Sequence, residues 1–242
     1  MRIAVLSDIH ANLPALDAVV AAAGAIDAWW HCGDVVGYGP HPNEVVARLR
    51  ELDAVGVMGN HDAAALGSPI IEWFNPYAAE AALWTRRTLT EDARAWLAAL
   101  PEQVVVDGWT IVHGSARDPL QEYVTSPSVA LATMRHVPTR TTLYGHTHVP
   151  KAWRADETMQ VVEDGGSIGA GPLALEGGLW LLNPGSVGQP RDGDRRAAGM
   201  VLDTGAGTAT WLRVAYPIAA TQAAIRRAGL PERLAARLDV GR

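Results

Sequence analysis

The sequence predicts an α/β fold in which two β-sheets pack face to face as a sandwich flanked by helices. In the first half of the chain, short apolar runs alternate with helical segments, which is typical of a largely parallel sheet with helical connections. From Val149 onward strand follows strand across glycine-rich turns, so we expect these strands to form the second sheet. Polar motifs come directly after the apolar runs, where the carboxyl ends of strands would meet at one rim of a sheet.

The first third of the chain repeats a strand, turn and helix unit. Apolar runs predict strands over 2–6, 26–32 and 54–58. An alanine-rich helix is predicted over 13–23, where it ends near Gly24, and a second helix over 42–52, where Pro42 occupies the favoured first position.

The middle of the chain is mainly helical. Two helices are predicted over 77–90 and 91–100, then two strands over 103–106 and 109–112 around a hairpin dipeptide, a helix over 127–135 and a strand over 141–144. The aromatic residues Trp73, Phe74 and Tyr77 either pack as helix core or form the wall of a site, and aromatic residues at helical spacing are more often core.

The last part of the chain is predicted to be strand-rich and to end in a helical tail. Strands are predicted over 151–155, 159–162, 179–182, 198–202 and 208–214. Helices over 218–227 and 231–238 form a tail, 216–242, whose arginines would lie on a solvated face. We expect residues 1–242 to form a single domain that includes this tail.

Composition excludes several classes of protein. The net charge is −6 with no basic block, which argues against stable nucleic-acid binding. No apolar run approaches the roughly 20 residues that span a bilayer. The N-terminus has no cleavable leader pattern, so we expect a cytoplasmic protein without membrane attachment. The only cysteine, Cys32, is predicted to be a buried apolar residue.

Five polar motifs follow predicted strands and carry the chemistry. They are Ser7-Asp8-Ile9-His10, Gly33-Asp34, Gly59-Asn60-His61-Asp62, His113 and Gly145-His146-Thr147-His148. Carboxylate, amide and imidazole groups suit divalent Mn, Fe, Co, Ni or Zn. Seven such ligands are too many for one ion with room for substrate, and suit two ions that share a carboxylate. Asp8 and His10 are two apart, so an extended backbone would aim both side chains the same way.

The ordered set from Asp8 to His148 resembles the calcineurin-like metallophosphoesterase superfamily, and the likeness continues through a glycine-rich segment to about Arg191. The resemblance implies a four-layer αββα arrangement and two divalent ions, of which we favour manganese. One ion would be held by Asp8, His10 and His148. The other would be held by Asn60, His113 and His146, with Asp34 as the bridge.

The resemblance also implies a catalytic role for His61, which would protonate the leaving oxygen or stabilise the transition state. Asp62 either orients that imidazole or caps the following segment, and we favour the cap. His31, His41 and His136 lie outside the motifs and are assigned to packing or to the surface.

One departure from the family concerns the substrate. Protein serine/threonine phosphatases carry Asp-Arg-Gly after the Gly-Asp motif, whereas this chain has Gly37-Tyr38-Gly39. A phosphodiesterase is therefore favoured over a protein phosphatase. Arg191 is our candidate for binding phosphate, with a surface arginine as the alternative, and Asn12 and Tyr38 are weaker candidates.

The predicted activity is hydrolysis of a phosphodiester, phosphoanhydride or phosphomonoester in a small phosphorylated substrate such as a nucleotide, through a hydroxide shared by the two ions. The alternative is a catalytically silent protein-interaction scaffold on the same fold. A scaffold has no need for all seven ligands and His61, yet this chain keeps all eight.

Overall fold

The computed structural model describes residues 1–156, 158, 162–164 and 171–242. Within these ranges twelve strands form two six-stranded sheets. The strands are β1 (Arg2–Leu6), β2 (Ala28–His31), β3 (Val55–Gly56), β4 (Gln103–Val106), β5 (Trp109–Val112), β6 (Thr141–Leu143), β7 (Lys151–Ala155), β8 (Val162–Asp164), β9 (Leu173–Ala174), β10 (Leu179–Asn183), β11 (Ala197–Asp203) and β12 (Thr208–Val214).

Each sheet combines strands from distant parts of the chain. The first has the order β3-β2-β1-β11-β12-β9, and the second β4-β5-β6-β10-β7-β8. The prediction that every strand after Val149 belongs to the second sheet is wrong. β11 pairs antiparallel with β1, with Leu202 opposite Ile3, and β12 and β9 follow it into the first sheet.

The sheets pack face to face through a core that both contribute. Ile3 and Trp30 of the first sheet and Ile111 and Leu143 of the second belong to one buried cluster. β1, β2 and β3 run parallel in the first sheet, as do β5 and β6 in the second. The polar motifs therefore come from the rims of two sheets, not from one rim as predicted.

Helices cover the outer faces of the sandwich. The helices of the described residues are α1 (Leu13–Ala23), α2 (Pro42–Glu51), α3 (Asn60–Leu66), α4 (Pro76–Thr88), α5 (Glu91–Ala98), α6 (Pro127–His136), α7 (Ile218–Arg227) and α8 (Glu232–Ala236), with 3-10 turns at Pro69–Trp73 and Arg237–Asp239. α1 packs on β11 and β12, whereas α6 packs on β7, β8 and β10. Two sheets between helical layers confirm the predicted fold class.

Local signals located most elements to within about two residues, and the exceptions are instructive. α3 lies in the helical middle of the chain, but the sequence gives no bounds for it, and it begins inside the motif at Asn60. The structure shows one half of a capping box there: the Asp62 carboxylate accepts from the main-chain N–H of Gly59 at 2.9 Å, while glycine has no side chain to make the reciprocal bond. Of the predicted strand over 159–162, residues 159–161 lie outside the described residues, and Val162 begins β8.

Among the described residues, the helices are all too short or too polar to cross a bilayer.

Candidate metal centre

The predicted ligands gather at the end of the sandwich where the two sheets meet. All seven side chains are buried, with exposures from 0% to 7%. Two overlapping groups of carboxylates and imidazoles, each with ligand atoms within 4.8 Å of one another, share Asp34. The first group is Asp8, His10, Asp34 and His148, and the second is Asp34, His113 and His146.

The first group surrounds one carboxylate oxygen of Asp8. Asp8 Oδ1 lies 3.2 Å from His148 Nε2 and 4.0 Å from His10 Nε2, and it has no hydrogen-bond partner among the described residues. The other oxygen, Oδ2, accepts from the Ser7 hydroxyl at 2.7 Å. One oxygen of Asp8 is thus held by the fold and the other faces the imidazoles.

Asp34 lies between the two groups. Its Oδ2 is 3.5 Å from His10 Nε2 and 3.4 Å from His113 Nε2, again without a hydrogen-bond donor in the described part of the chain. Its Oδ1 accepts from the main-chain N–H of His61 at 2.8 Å. One oxygen of Asp34 thus faces imidazoles of both groups.

The second group places three further ligand atoms together. His113 Nε2 lies 3.0 Å from Asn60 Oδ1 and 3.1 Å from His146 Nδ1. The Tyr123 ring stacks on His146 with centroids 3.8 Å apart, which restricts the rotation of this imidazole.

Carbonyl oxygens set the tautomers of all four imidazoles, because a carbonyl accepts a hydrogen bond and cannot donate one. The outer nitrogen of each ring therefore carries the proton and the inner nitrogen presents a lone pair. The contacts are His10 Nδ1 to Val36 O (3.1 Å), His113 Nδ1 to Cys32 O (2.8 Å), His148 Nδ1 to Gln189 O (2.6 Å) and His146 Nε2 to Gln121 O (3.3 Å).

This arrangement leaves acceptors facing acceptors. His10 Nε2 and His148 Nε2 lie 3.1 Å apart with a lone pair on each, beside the unpartnered oxygens of Asp8 and Asp34. Such a contact is unfavourable without a positive charge between the groups. The donor set fits divalent cations, and the outer hydrogen bonds are those that orient metal-bound imidazoles.

Burial shifts the pKa values of the carboxylates and of the imidazoles in opposite directions. Burial raises the pKa of Asp8 to about 7, and burial together with Asp62 raises that of Asp34 well above its usual range. Burial lowers the pKa of His10 and of His148 far below the ordinary value, with His61 and Arg191 respectively as the next largest cause. A cation would favour the charged carboxylates and the neutral imidazoles together.

The backbone of the site is unusual. Asp8, His10, Asp34, His146 and His148 all have positive φ, between 48° and 64°. The expectation of an extended backbone at Asp8 and His10 is therefore wrong, and their side chains converge through left-handed turns instead. Non-glycine residues seldom adopt this conformation, and where it clusters it marks strain held at functional sites.

Glycines beside the ligands make this close approach feasible. A Cβ on Gly59 would lie 2.1 Å from Asp34 Oδ1, and one on Gly145 would lie 2.0 Å from the Ser7 hydroxyl. Both distances are well inside van der Waals contact, so a side chain at either position would push the chain away from the centre.

His61 lines a cavity of about 190 Å³ beside the ligands. Its ring contacts Tyr38 and Phe74, with centroids 4.3 Å and 4.5 Å away. Asp62 does not touch it, since that carboxylate accepts from the N–H groups of Gly59, Val35 and Val36. The cap interpretation of Asp62 is thus the one that the geometry supports.

The three residues predicted to bind substrate have different surroundings in the structure. Arg191 and Tyr38 line the cavity, and the Arg191 guanidinium donates to the Tyr38 hydroxyl at 3.4 Å and to Gln189 Oε1 at 2.9 Å. Asn12 is buried and its amide serves the fold: it donates to Gly188 O at 3.0 Å and accepts from the Thr221 hydroxyl at 3.0 Å. We therefore correct the prediction for Asn12.

The aromatic residues also need a correction. Trp73 is 80% exposed and lines the cavity, so the wall interpretation describes it better than helix core does, whereas Phe74 lines the cavity and also packs against two buried clusters. Tyr77 lies in a neighbouring cavity. Sequence reasoning missed Tyr123 and Arg237, which also line the cavity, because neither belongs to a motif.

The remaining histidines lie outside the centre, as predicted. His31 is fully buried against Trp96, His41 is half-buried and His136 is exposed. Cys32 is buried, and burial raises the pKa of its thiol well above the ordinary value.

A sandwich of two sheets with a histidine and carboxylate centre at its rim is the architecture of metal-dependent phosphoesterases. Residues 1–207 match the calcineurin-like phosphoesterase superfamily domain, and the chain belongs to this superfamily, as its motifs predict.

Similar proteins match this chain along its whole length. An uncharacterized protein from Methanocaldococcus jannaschii is 34% identical, with 99% of this chain and 98% of that protein covered. The crystal structure of a metallophosphoesterase from Sphaerobacter thermophilus is 42% identical, with 100% and 99% covered and a TM-score of 0.89. A hypothetical protein from Pyrococcus horikoshii shares the fold at 22% identity, with 100% and 98% covered and a TM-score of 0.81.

Proposed function

We propose that this protein is a phosphoesterase that uses two divalent ions to hydrolyse a small phosphorylated substrate, with a phosphodiester favoured. The observation that carries the proposal is the set of lone pairs and carboxylate oxygens around Asp34 Oδ2 that have no hydrogen-bond donor among the described residues, an arrangement that fits a pair of cations. Membership of the superfamily supports the reaction class.

The two ions would offset the negative charge of the phosphoryl oxygens and make a water molecule nucleophilic at neutral pH. Asp8, His10 and His148 would hold one of them, and Asn60, His113 and His146 the other. Asp34 would bridge them through Oδ2, while the contact of Oδ1 with the His61 N–H keeps the carboxylate in place.

His61 would act on the leaving oxygen. Burial, with Arg191 and His113 nearby, lowers its pKa well below the ordinary value. An anionic phosphoryl group in the same cavity favours the protonated ring. The imidazole would protonate the leaving oxygen as the ester bond breaks, or stabilise the transition state.

Two features favour a small substrate over a phosphoprotein. His61 Nδ1 has no partner among the described residues, so the ring lacks the carboxylate partner of the protein phosphatases. Gly37 accounts for this, because a Cβ there would lie 2.6 Å from Nδ1 and leaves no space for a side chain. The cavity of about 190 Å³ between Tyr38 and Phe74 suits a phosphoryl group with a small substituent.

Arg191 would bind the phosphoryl oxygens. The guanidinium is half-buried and held by Tyr38 and Gln189, and its buried Nε has no partner in the described ranges.

We also propose that residues 1–242 form one domain, because Tyr38 of the site and Ile225 and Leu234 of the tail belong to one buried cluster.

The test is hydrolysis of bis(p-nitrophenyl) phosphate and p-nitrophenyl phosphate by protein that is stripped of metal and reloaded with Mn²⁺. We expect metal-dependent turnover, faster on the diester, with about two ions bound per chain, and a loss of at least about a hundredfold in Asp34→Asn, where one charge of the bridge is removed. Two bound ions without turnover on either ester would instead support the scaffold alternative. A chain that binds no divalent ion would refute the metal centre itself.

A further inference from the structure

The C-terminal tail (residues 216–242) brings an arginine into the cavity of the metal centre. Arg237 lines the cavity of about 190 Å³ together with His61 and Arg191. A second cavity of about 550 Å³ lies beside it, and Arg237 and Tyr38 line both. Arg233, one turn before Arg237, lines the second cavity. The two cavities therefore share Arg237, which the tail supplies.

Three arginines surround this junction. No aspartate or glutamate side chain among the described residues forms an ion pair with Arg191, Arg233 or Arg237. Arg226 of the same tail, in contrast, pairs with Glu232. Burial and then Arg191 lower the pKa of Arg237 to about 10. Like charges held together without an aspartate or glutamate partner among the described residues favour the binding of an anion.

Buried leucines and side-chain hydrogen bonds fix the tail against the rest of the protein. Leu234 and Leu238 are buried with Ile225, and the Gln222 amide donates to Ala235 O at 3.0 Å and to Asp239 Oδ2 at 2.7 Å.

Neighbouring residues position the guanidinium groups of Arg233 and Arg237. Arg233 lies over the Tyr77 ring, 5.4 Å from its centroid. Arg237 Nε donates to the main-chain oxygen of Arg242 at 2.5 Å, while its two Nη groups have no hydrogen-bond partner among the residues that the structure describes. The Nη groups are thus available to an anion.

We propose that Arg237 and Arg233 form a second anion subsite, which binds a second phosphoryl group of the substrate beside the one that reacts. This deepens the proposed function and rests on it for the reacting group. The substrate class is a small organic molecule with two phosphoryl groups on a spacer that extends from the metal centre into the second cavity. Arginine suits this role because its planar guanidinium binds phosphoryl oxygens in pairs.

The test is a binding measurement that needs no turnover. Isothermal titration calorimetry on the manganese-loaded protein compares butylphosphonate with a series of α,ω-alkanebisphosphonates of three to six carbons, none of which is hydrolysed. We expect one spacer length to bind at least about tenfold more tightly than the monophosphonate, equivalent to about 1.4 kcal/mol. Arg237→Gln and Arg233→Gln should each reduce this advantage, and the double variant should abolish it.

Two further variants make the result specific. Arg227→Gln removes an exposed arginine of the same tail that lines neither cavity, and it should keep the full advantage. Arg237→Lys retains the charge without the paired donors and should keep part of it. Circular dichroism and metal content confirm that each variant is folded and loaded.

An equal affinity for all the phosphonates, or an advantage that survives the double variant, would refute the subsite. These outcomes differ from a failure of the proposed function. A protein that prefers the bisphosphonate but hydrolyses no ester keeps the subsite and loses the phosphoesterase. A protein that hydrolyses p-nitrophenyl phosphate but shows no preference loses only the subsite.

Discussion

Replacement of Gly59 by alanine tests how closely the backbone must approach the bridging carboxylate. Gly59 has φ −100° and ψ 173°, which any residue adopts, so alanine introduces no backbone strain there. Its Cβ would lie 2.1 Å from Asp34 Oδ1 and 2.3 Å from the Asp34 main-chain nitrogen. Any effect of the substitution is therefore a steric effect on Asp34.

The size of the effect follows from these distances. Ordinary contact begins near 3.4 Å, so Asp34 and residue 59 must separate by about 1 Å. Metal–ligand distances tolerate only about 0.2 Å, so the displaced carboxylate would no longer bridge two ions. We expect metal binding to weaken at least about a hundredfold, or about 2.8 kcal/mol. The fold itself should lose about 1–3 kcal/mol of stability from the overlap.

Metal titration followed by elemental analysis measures the first quantity, and urea unfolding of the metal-free protein measures the second. Gly205→Ala is the matched control, because Gly205 is exposed, has no positive φ and would place its Cβ at an ordinary 3.4 Å from Asp203 Oδ1. If Gly59→Ala binds two ions with the affinity of the wild type, the bridging geometry proposed for Asp34 is wrong.

The other predictions concern the catalytic histidine, acid stability and the aromatic wall. His61→Asn should bind both ions normally and lower kcat by about 10²–10⁴, and a loss below about tenfold would remove His61 from the chemistry. Burial lowers the pKa of His31 to about 4, so only the unfolded chain takes up its proton as the pH falls from 6.5 towards 4. The wild type should therefore lose about 3 kcal/mol of stability over that range relative to His31→Phe, as urea unfolding of the metal-free proteins would show, and parallel pH curves would contradict this. Trp73→Ala should raise KM for aryl esters about three- to tenfold more than for alkyl esters, a difference that steady-state kinetics on the two substrate types measures, and equal changes would mean that the exposed ring does not stack on substrate.

Local patterns in the sequence were sufficient where neighbouring residues decide the structure. The bounds of β1, β12 and α1 were predicted to the residue, because apolar periodicity and flanking glycine or asparagine act within one turn of the chain. The superfamily was predicted for a related reason: each motif is short and stands at a strand end, so its order along the chain can be read directly.

Contacts between distant residues were beyond the reach of such patterns. Hydrogen bonds between β1 and β11, about two hundred residues apart, placed β11 in the first sheet. The sequence predicts Asn12 as a substrate-binding residue, whereas in the structure its amide forms hydrogen bonds with Gly188 and Thr221. Neither pairing leaves a periodic signal in the sequence.

The division at the metal centre has the same physical origin. The identity of the candidate ligands is a property of the sequence, since carboxylate and imidazole groups have their chemistry wherever they lie. Their mutual orientation depends on left-handed turns at Asp8 and Asp34 and on carbonyl groups from other segments that hold each imidazole. The presence of Arg237 in the cavity depends on how the tail packs against Tyr38. These features are decided by packing across the whole chain, and so only the tertiary structure shows them.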